Sequence, residues 1–98
     1  MTINKKLEGK DLTIALEGRL DTTTAPELEA ELVKDMPEAE TLTMDFADLQ
    51  YISSAGLRVL LSSHKVMNNK GGMKIINANE IVKEVFDVTG FTDILNIE

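Results

Sequence analysis

Apolar and polar positions alternate with two different periods along this chain, and each change of period marks an element. Residues 2–8, TINKKLE, are polar except for Ile3 and Leu7, whose spacing places them on one face of a strand. An EGKD turn at 8–11 leads into LTIALEGRL. There Leu12, Ile14 and Leu16 alternate with Thr13, Ala15 and Glu17, the pattern of a half-buried strand, and the two runs predict a hairpin. The period then lengthens. Over residues 25–35, Leu28 and Leu32, with Met36 just beyond, recur at helical spacing, while Glu27, Glu29, Glu31 and Lys34 are expected to face water. Thr24 followed three residues later by Glu27 predicts a capping box, with Pro26 in the first turn, where its missing N–H costs little. TLTMDFADL returns to alternation through Leu42, Met44 and Phe46, predicting a third strand followed by a loop through Tyr51.

The longest helix is expected over 54–69. Leu57, Leu60, Leu61, His64 and Met67 share one face, and Ala55, Val59, Ser62 and Val66 form a second stripe flanked by Arg58 and Lys65. Partial burial of that stripe under a neighbouring helix is the expectation, with a partner surface beginning beside Ser54 as the other reading. Lys70-Gly71-Gly72 carries the glycine signal found past a helix C-terminus. MKIIN, 73–77, predicts a short strand. Asn77 with Glu80 predicts a second cap opening a helix through about Val88, stopped by Gly90, and FTDILNIE a final turn and strand. The order is β-β-α-β-α-β-α-β. It implies an α/β fold with a mixed sheet, helices packed against it, and right-handed crossovers between parallel neighbours. Without a repeat, linker or low-complexity tract, residues 1–98 read as one domain.

Composition narrows the function. There is no cysteine and His64 is the only histidine, so disulfides, thiolate metal sites and histidine clusters are excluded. A net charge of -7 and only four aromatic residues, Phe46, Tyr51, Phe86 and Phe91, argue against nucleic acid. No apolar run approaches the ~18 residues of a membrane span, and the first residues lack a signal-peptide pattern. A cytoplasmic protein is expected.

Enzyme chemistry fails on geometry. Ser54 has Gly56 after it but Ile52 before it, which is half of the G-x-S-x-G hydrolase elbow. His64 lies ten residues along the same helix, about 15 Å from Ser54 and far outside hydrogen-bond reach. Asp21, Asp45 and Asp48 show no acid–base pairing. No G-x-G-x-x-G or Walker lysine is present, and Lys70-Gly71-Gly72 follows a helix instead of opening one. No catalytic residue, metal or cofactor is expected.

The serine pair in YISSAGLRVLL stands apart because it opens the longest helix. One serine oxygen there caps a first-turn N–H. A phosphoserine in the same place suits the positive end of the helix dipole, so the site accepts a phosphoryl group without unfolding the helix.

Four segments together, LEGRLDTTTAPEL, LTMDFADLQYISSAGLRVLL, GGMKII and IVKEVFDVTGFTDIL, resemble the STAS domain family, specifically bacterial anti-sigma factor antagonists. The resemblance covers nearly the whole chain. It implies a partner switch: the protein binds an anti-sigma factor that is also a serine kinase and frees a sigma factor. Phosphorylation of a serine at the start of the long helix blocks binding, and a serine phosphatase of the PP2C type resets it. The family motif is Asp-Ser-Ser/Thr-Gly with the first hydroxyl after the Asp as acceptor. Matched to SSAG, the acceptor is Ser54, Ser53 replaces the Asp, and Ala55 fills the next position. Asp21 matches a family acid in a loop near that helix. The implied partner-binding set is Asp21, Thr22, Ser53, Ser54, Ala55 and Arg58. Losing the Asp changes how a kinase reads the loop or makes Ser53 a competing acceptor. The alternative reading is an unphosphorylated STAS interaction module, a scaffold in a signalling complex or an accessory to a transport system. The oligomeric state is not set by the sequence.

Overall fold

A computed structural model describes residues 1–98. The elements are β1 (Thr2–Glu8), β2 (Asp11–Leu20), α1 (Ala25–Asp35), β3 (Thr41–Ile52), α2 (Ser54–Met67), β4 (Met73–Ile76), α3 (Glu80–Thr89) and β5 (Asn96–Ile97). One five-stranded mixed sheet has the order β1-β2-β3-β4-β5, with β1 antiparallel to β2 and the other neighbours parallel. The predicted hairpin and element order are as expected.

Strand parity sets the core. Leu12, Ile14 and Leu16 of β2, Leu42, Met44 and Phe46 of β3, and Met73 and Ile75 of β4 are buried on one face. Leu28 and Leu32 of α1, Leu57, Leu60 and Met67 of α2, and Val82 and Phe86 of α3 join them in a single cluster. The Phe46 and Phe86 rings stack at 6.5 Å, docking α3 on the centre of the sheet. Thr13, Thr43 and Lys74, at the intervening positions, lie on the opposite, open face. Each buried apolar side chain stabilises by about 1.5–3 kcal/mol, so slipping a strand by one residue is prohibitive.

Several boundaries differ from expectation, each for a local reason. β3 continues through Tyr51 to Ile52 where a loop was expected. Its register against β2 shifts twice, between Ala15/Glu17 and between Gly18/Arg19. Each shift gives β3 one extra residue, so burial passes from alternate positions to Leu49 and Ile52 and the period-two signal disappears. α2 ends at Met67, and 68–71 form a turn. The Asn77 cap is not formed: Asn77 sits at φ 61, and Asn79 caps α3 by accepting from the Val82 N–H at 2.8 Å. The Asn79 amide also donates to the Leu49 carbonyl at 2.9 Å, tying α3 to β3.

The Thr24–Glu27 capping box is also absent. Thr24 Oγ1 accepts from the Asp21 N–H and donates to the Arg19 carbonyl, both at 2.8 Å, and is therefore turned away from α1. On α2 the Leu57, Leu60, Met67 face is buried, with Leu61 and His64 half-buried. Of the second stripe, Val59 is buried, Ala55 half-buried, and Ser62 and Val66 exposed. Glu31 is half-buried instead of water-facing, because Lys5 on β1 pairs with both Glu31 and Asp35. Hydrogen bonds from Lys5 to Glu31 and then Asp35 raise the Lys5 pKa. Lys70-Gly71-Gly72 is a clasp: the Lys70 ammonium donates to the Met36 carbonyl at 2.8 Å and the Ala39 carbonyl at 3.0 Å, just beyond α1.

Candidate functional site

Because β2 and β3 are parallel, both deliver their C-terminal ends to the same side of the sheet. The chain leaves β2 at Asp21 and β3 at Ser53, and the Ser53 N–H donates to the Leu20 carbonyl at 2.9 Å, joining the two exits. Gly56 then seats the first turn of α2 on them. A Cβ at Gly56 would lie 2.7 Å from Leu20 Cγ and 2.9 Å from Ile52 Cγ1, an approach only glycine permits.

The two serines are placed unequally. Ser53 is the N-cap residue, extended at φ -100 and ψ 176, and its carbonyl accepts from the Leu57 N–H at 3.0 Å. Its hydroxyl makes no cap bond; Oγ is enclosed and has no partner within the chain. Ser54 is the first helical residue and is exposed. Neither hydroxyl therefore caps α2, contrary to expectation. The N–H groups of its first turn have no intrahelical acceptor, leaving a positive helix end beside Ser54.

The loop after β2 is ordered by Asp21. Its Oδ1 accepts from the Thr23 N–H at 3.0 Å and the Thr24 N–H at 3.1 Å. The bond from the Thr24 backbone chiefly holds the Asp21 carboxyl below its usual range. Desolvation opposes this, while the Thr23 N–H, the Thr24 hydroxyl and Arg19 assist. Thr22, on the same loop, is exposed, and with Ala55 and Arg58 it lines a shallow cleft between α1 and α2. The structure thus gathers Asp21, Thr22, Ser53, Ser54, Ala55 and Arg58 at one end of the sheet.

Two residues at this end were not singled out from the sequence. Arg19 pairs with Tyr51 across β2 and β3, and its guanidinium sits 4.6 Å from the Tyr51 ring centre. Arg19 Nε is also 3.9 Å from Asp21 Oδ2. Only the two register shifts bring Arg19 opposite Tyr51. Gly56 enters the sequence reading only as half of a hydrolase elbow; its packing role has one sequence signal, a glycine inside a helical pattern.

Other features lie elsewhere. His64 is further along α2, with Nδ1 enclosed and unpartnered. A cleft lined by Asp11, Thr41, Thr43, Gly71, Gly72 and Lys74 opens where β3 and β4 begin, at the opposite end from Ser54. No three His, Asp or Glu side chains lie together in a metal-binding group. No helix is long and apolar enough to cross a membrane.

The STAS domain family model matches residues 2–98. The anti-sigma-B factor antagonist of Bacillus subtilis (strain 168) is 30% identical over 98 residues, which is 99% of this chain and 90% of that protein. The anti-sigma-B factor antagonist of Staphylococcus epidermidis is 30% identical over 86 residues, 86% of this chain and 80% of that one. An anti-sigma factor antagonist from Mycobacterium paratuberculosis shares the fold, with a TM-score of 0.89 at 18% identity, covering 98% of this chain and 83% of that one.

Proposed function

The chain belongs to the STAS domain family, and from that premise we propose that it is an anti-sigma factor antagonist switched by phosphorylation of Ser54. Unmodified, it binds an anti-sigma factor serine kinase and so frees a sigma factor. The kinase moves the γ-phosphoryl group of ATP onto Ser54 Oγ, breaking its bond to the β,γ-bridging oxygen so that ADP and the hydroxyl proton are released, and binding ends. A serine phosphatase of the PP2C type hydrolyses the phosphoserine and restores the binding form. The chain itself is a cytoplasmic binding module, one domain over 1–98, without catalysis of its own.

The observation that carries this reading is the contrast within the pair: Ser54 is exposed on the first turn of α2, whereas Ser53 Oγ is enclosed. A kinase must reach the hydroxyl it modifies, which favours Ser54 and argues against Ser53 as a competing acceptor. The added group brings about -1.5 to -2 charges at neutral pH. At a helix N-terminus that charge is well placed, so the domain stays folded. In an interface the same dianion must be desolvated or repelled, so the partner is lost. Asp21, Thr22, Ala55 and Arg58 surround the serines and form the rest of the contact surface.

The test is a kinase assay with site mapping. With ATP and the cognate kinase, the protein gains one phosphoryl group on Ser54 and Ser54→Ala gains none. Ser54→Asp stays folded and binds the anti-sigma factor much more weakly. A Ser54→Asp protein that unfolds, or binds as tightly as wild type, refutes the switch. The alternative, an unphosphorylated interaction module, is favoured by one feature, Ser53 in place of the family Asp. It predicts partner binding with no phosphoryl transfer from any neighbouring kinase.

A further inference from the structure

We propose that Arg58 is the built-in receptor for a phosphoryl group on Ser54, so that modification captures a cation of this chain as well as adding an anion. The proposal rests on the reading of Ser54 as the phosphoacceptor. Ser54 and Arg58 are four residues apart on α2, on adjacent turns of one helix face, and both are exposed. Long helical side chains favour rotamers that lean toward the helix N-terminus, which brings the turn that carries Ser54 within reach of the Arg58 side chain. The negative group lies N-terminal to the positive one, which is the favourable order for such a pair.

Arg58 is also uncommitted. The ion pairs of this structure engage Lys5, Lys6 and Arg19. Glu29 on α1 lines the same cleft as Arg58 without pairing to it. The Asp21 carboxylate is occupied by the Thr23 and Thr24 N–H groups and faces Arg19. A phosphoserine at position 54 offers three acceptor oxygens. The guanidinium fork takes two of them, and the free first-turn N–H groups of α2 face the phosphate from the helix end. Unmodified, Arg58 stands at the rim of the proposed interface, available to an acidic group on the anti-sigma factor. Modified, its charge is neutralised within its own helix.

The experiment installs phosphoserine at position 54 during translation, in wild type and in Arg58→Gln, so it needs no kinase. Phosphorus NMR follows the second ionisation of the phosphate in each. Glu29, Asp21 and the helix end act equally on both proteins, so any difference isolates the guanidinium. The expected midpoint is about half a pH unit lower in wild type than in Arg58→Gln. That difference should shrink in ~1 M salt, where screening acts within about 3 Å. Equal midpoints at low salt overturn the proposal, and a thermal melt checks that Arg58→Gln is folded. Failure of Ser54 as a natural acceptor would appear separately, as absence of transfer in the kinase assay.

Discussion

Replacing Gly56 with alanine adds one methyl group at the place where α2 meets the sheet, and two effects then oppose each other. Alanine is favoured over glycine in a helix interior by about 1 kcal/mol, and by less in a first turn. Against that, the new carbon would sit 2.7 Å from Leu20 Cγ and 2.9 Å from Ile52 Cγ1. Those side chains are 0% and 1% exposed, so neither has free space to enter. Leu20 Cγ is a branch point, not a free end that can rotate aside. Overpacking of this kind costs about 1–3 kcal/mol, and a clash on two sides belongs in the upper part of that range. The net expectation is a loss of about 1–2 kcal/mol, the packing cost outweighing the propensity gain. In urea, with a slope near 2 kcal/mol per molar for a protein of this size, the midpoint should fall by about 0.5–1 M. The same displacement shifts Ser54, so phosphorylation by the cognate kinase should slow. An unchanged or higher urea midpoint for Gly56→Ala would show that the close approach at Gly56 does not constrain the helix, and the account of how Ser54 is positioned would fail.

Three further perturbations separate contacts that look alike in sequence. Asn79→Ala should lose about 1–2 kcal/mol in urea unfolding, because it removes both the α3 cap and the bond to Leu49; unchanged stability would refute the cap. Ser53→Ala should stay within about 0.5 kcal/mol of wild type, since its hydroxyl caps nothing, although the N-cap position alone would predict a loss near 1 kcal/mol; a loss of that size would refute the assignment. Asp21 should make stability acid-sensitive. Its folded pKa lies below its ordinary value of 3.8, so its contribution is complete above that value and disappears as pH falls through the folded pKa. Thermal melts should show a gap between wild type and Asp21→Ala that is constant above about pH 5 and narrows below pH 4. A gap independent of pH would refute a role for the carboxylate charge.

Sequence pattern reached as far as its periods did. Alternation located β2 and the first half of β3, and helical spacing located α1 and α2, because one-sided burial imposes those periods; α3 was bracketed by the cap signal before Glu80 and by Gly90. The second half of β3 was hidden because two register shifts move burial from alternate residues to Leu49 and Ile52. The caps expected at Thr24 and Asn77 failed for another reason: both have the right chemistry, but the Thr24 hydroxyl is held by the Asp21 N–H and the Arg19 carbonyl, and Asn77 sits at φ 61 with its amide turned to Asp45. At the end of the sheet that carries Ser54, the residues named from the serine motif and the family resemblance lie together. The contacts of Arg19 with Tyr51 and of Gly56 with Leu20 and Ile52 depend on which strand ends meet, which no local pattern encodes.

The unequal roles proposed for the two serines originate in the sheet and not in the serines. Successive helical residues are turned by about 100°, so moving the start of α2 by one residue would exchange which hydroxyl is enclosed and which is presented. Two contacts fix that start. The Ser53 N–H is held by the Leu20 carbonyl, which keeps Ser53 outside the helix, and Gly56 fits against Leu20 and Ile52, which sets the rotation of the first turn. Leu20 and Ile52 occupy opposed positions only because β3 carries two extra residues beside β2. The strand irregularities that obscured β3 in the sequence therefore fix which serine meets the solvent, and with it which hydroxyl a kinase can reach.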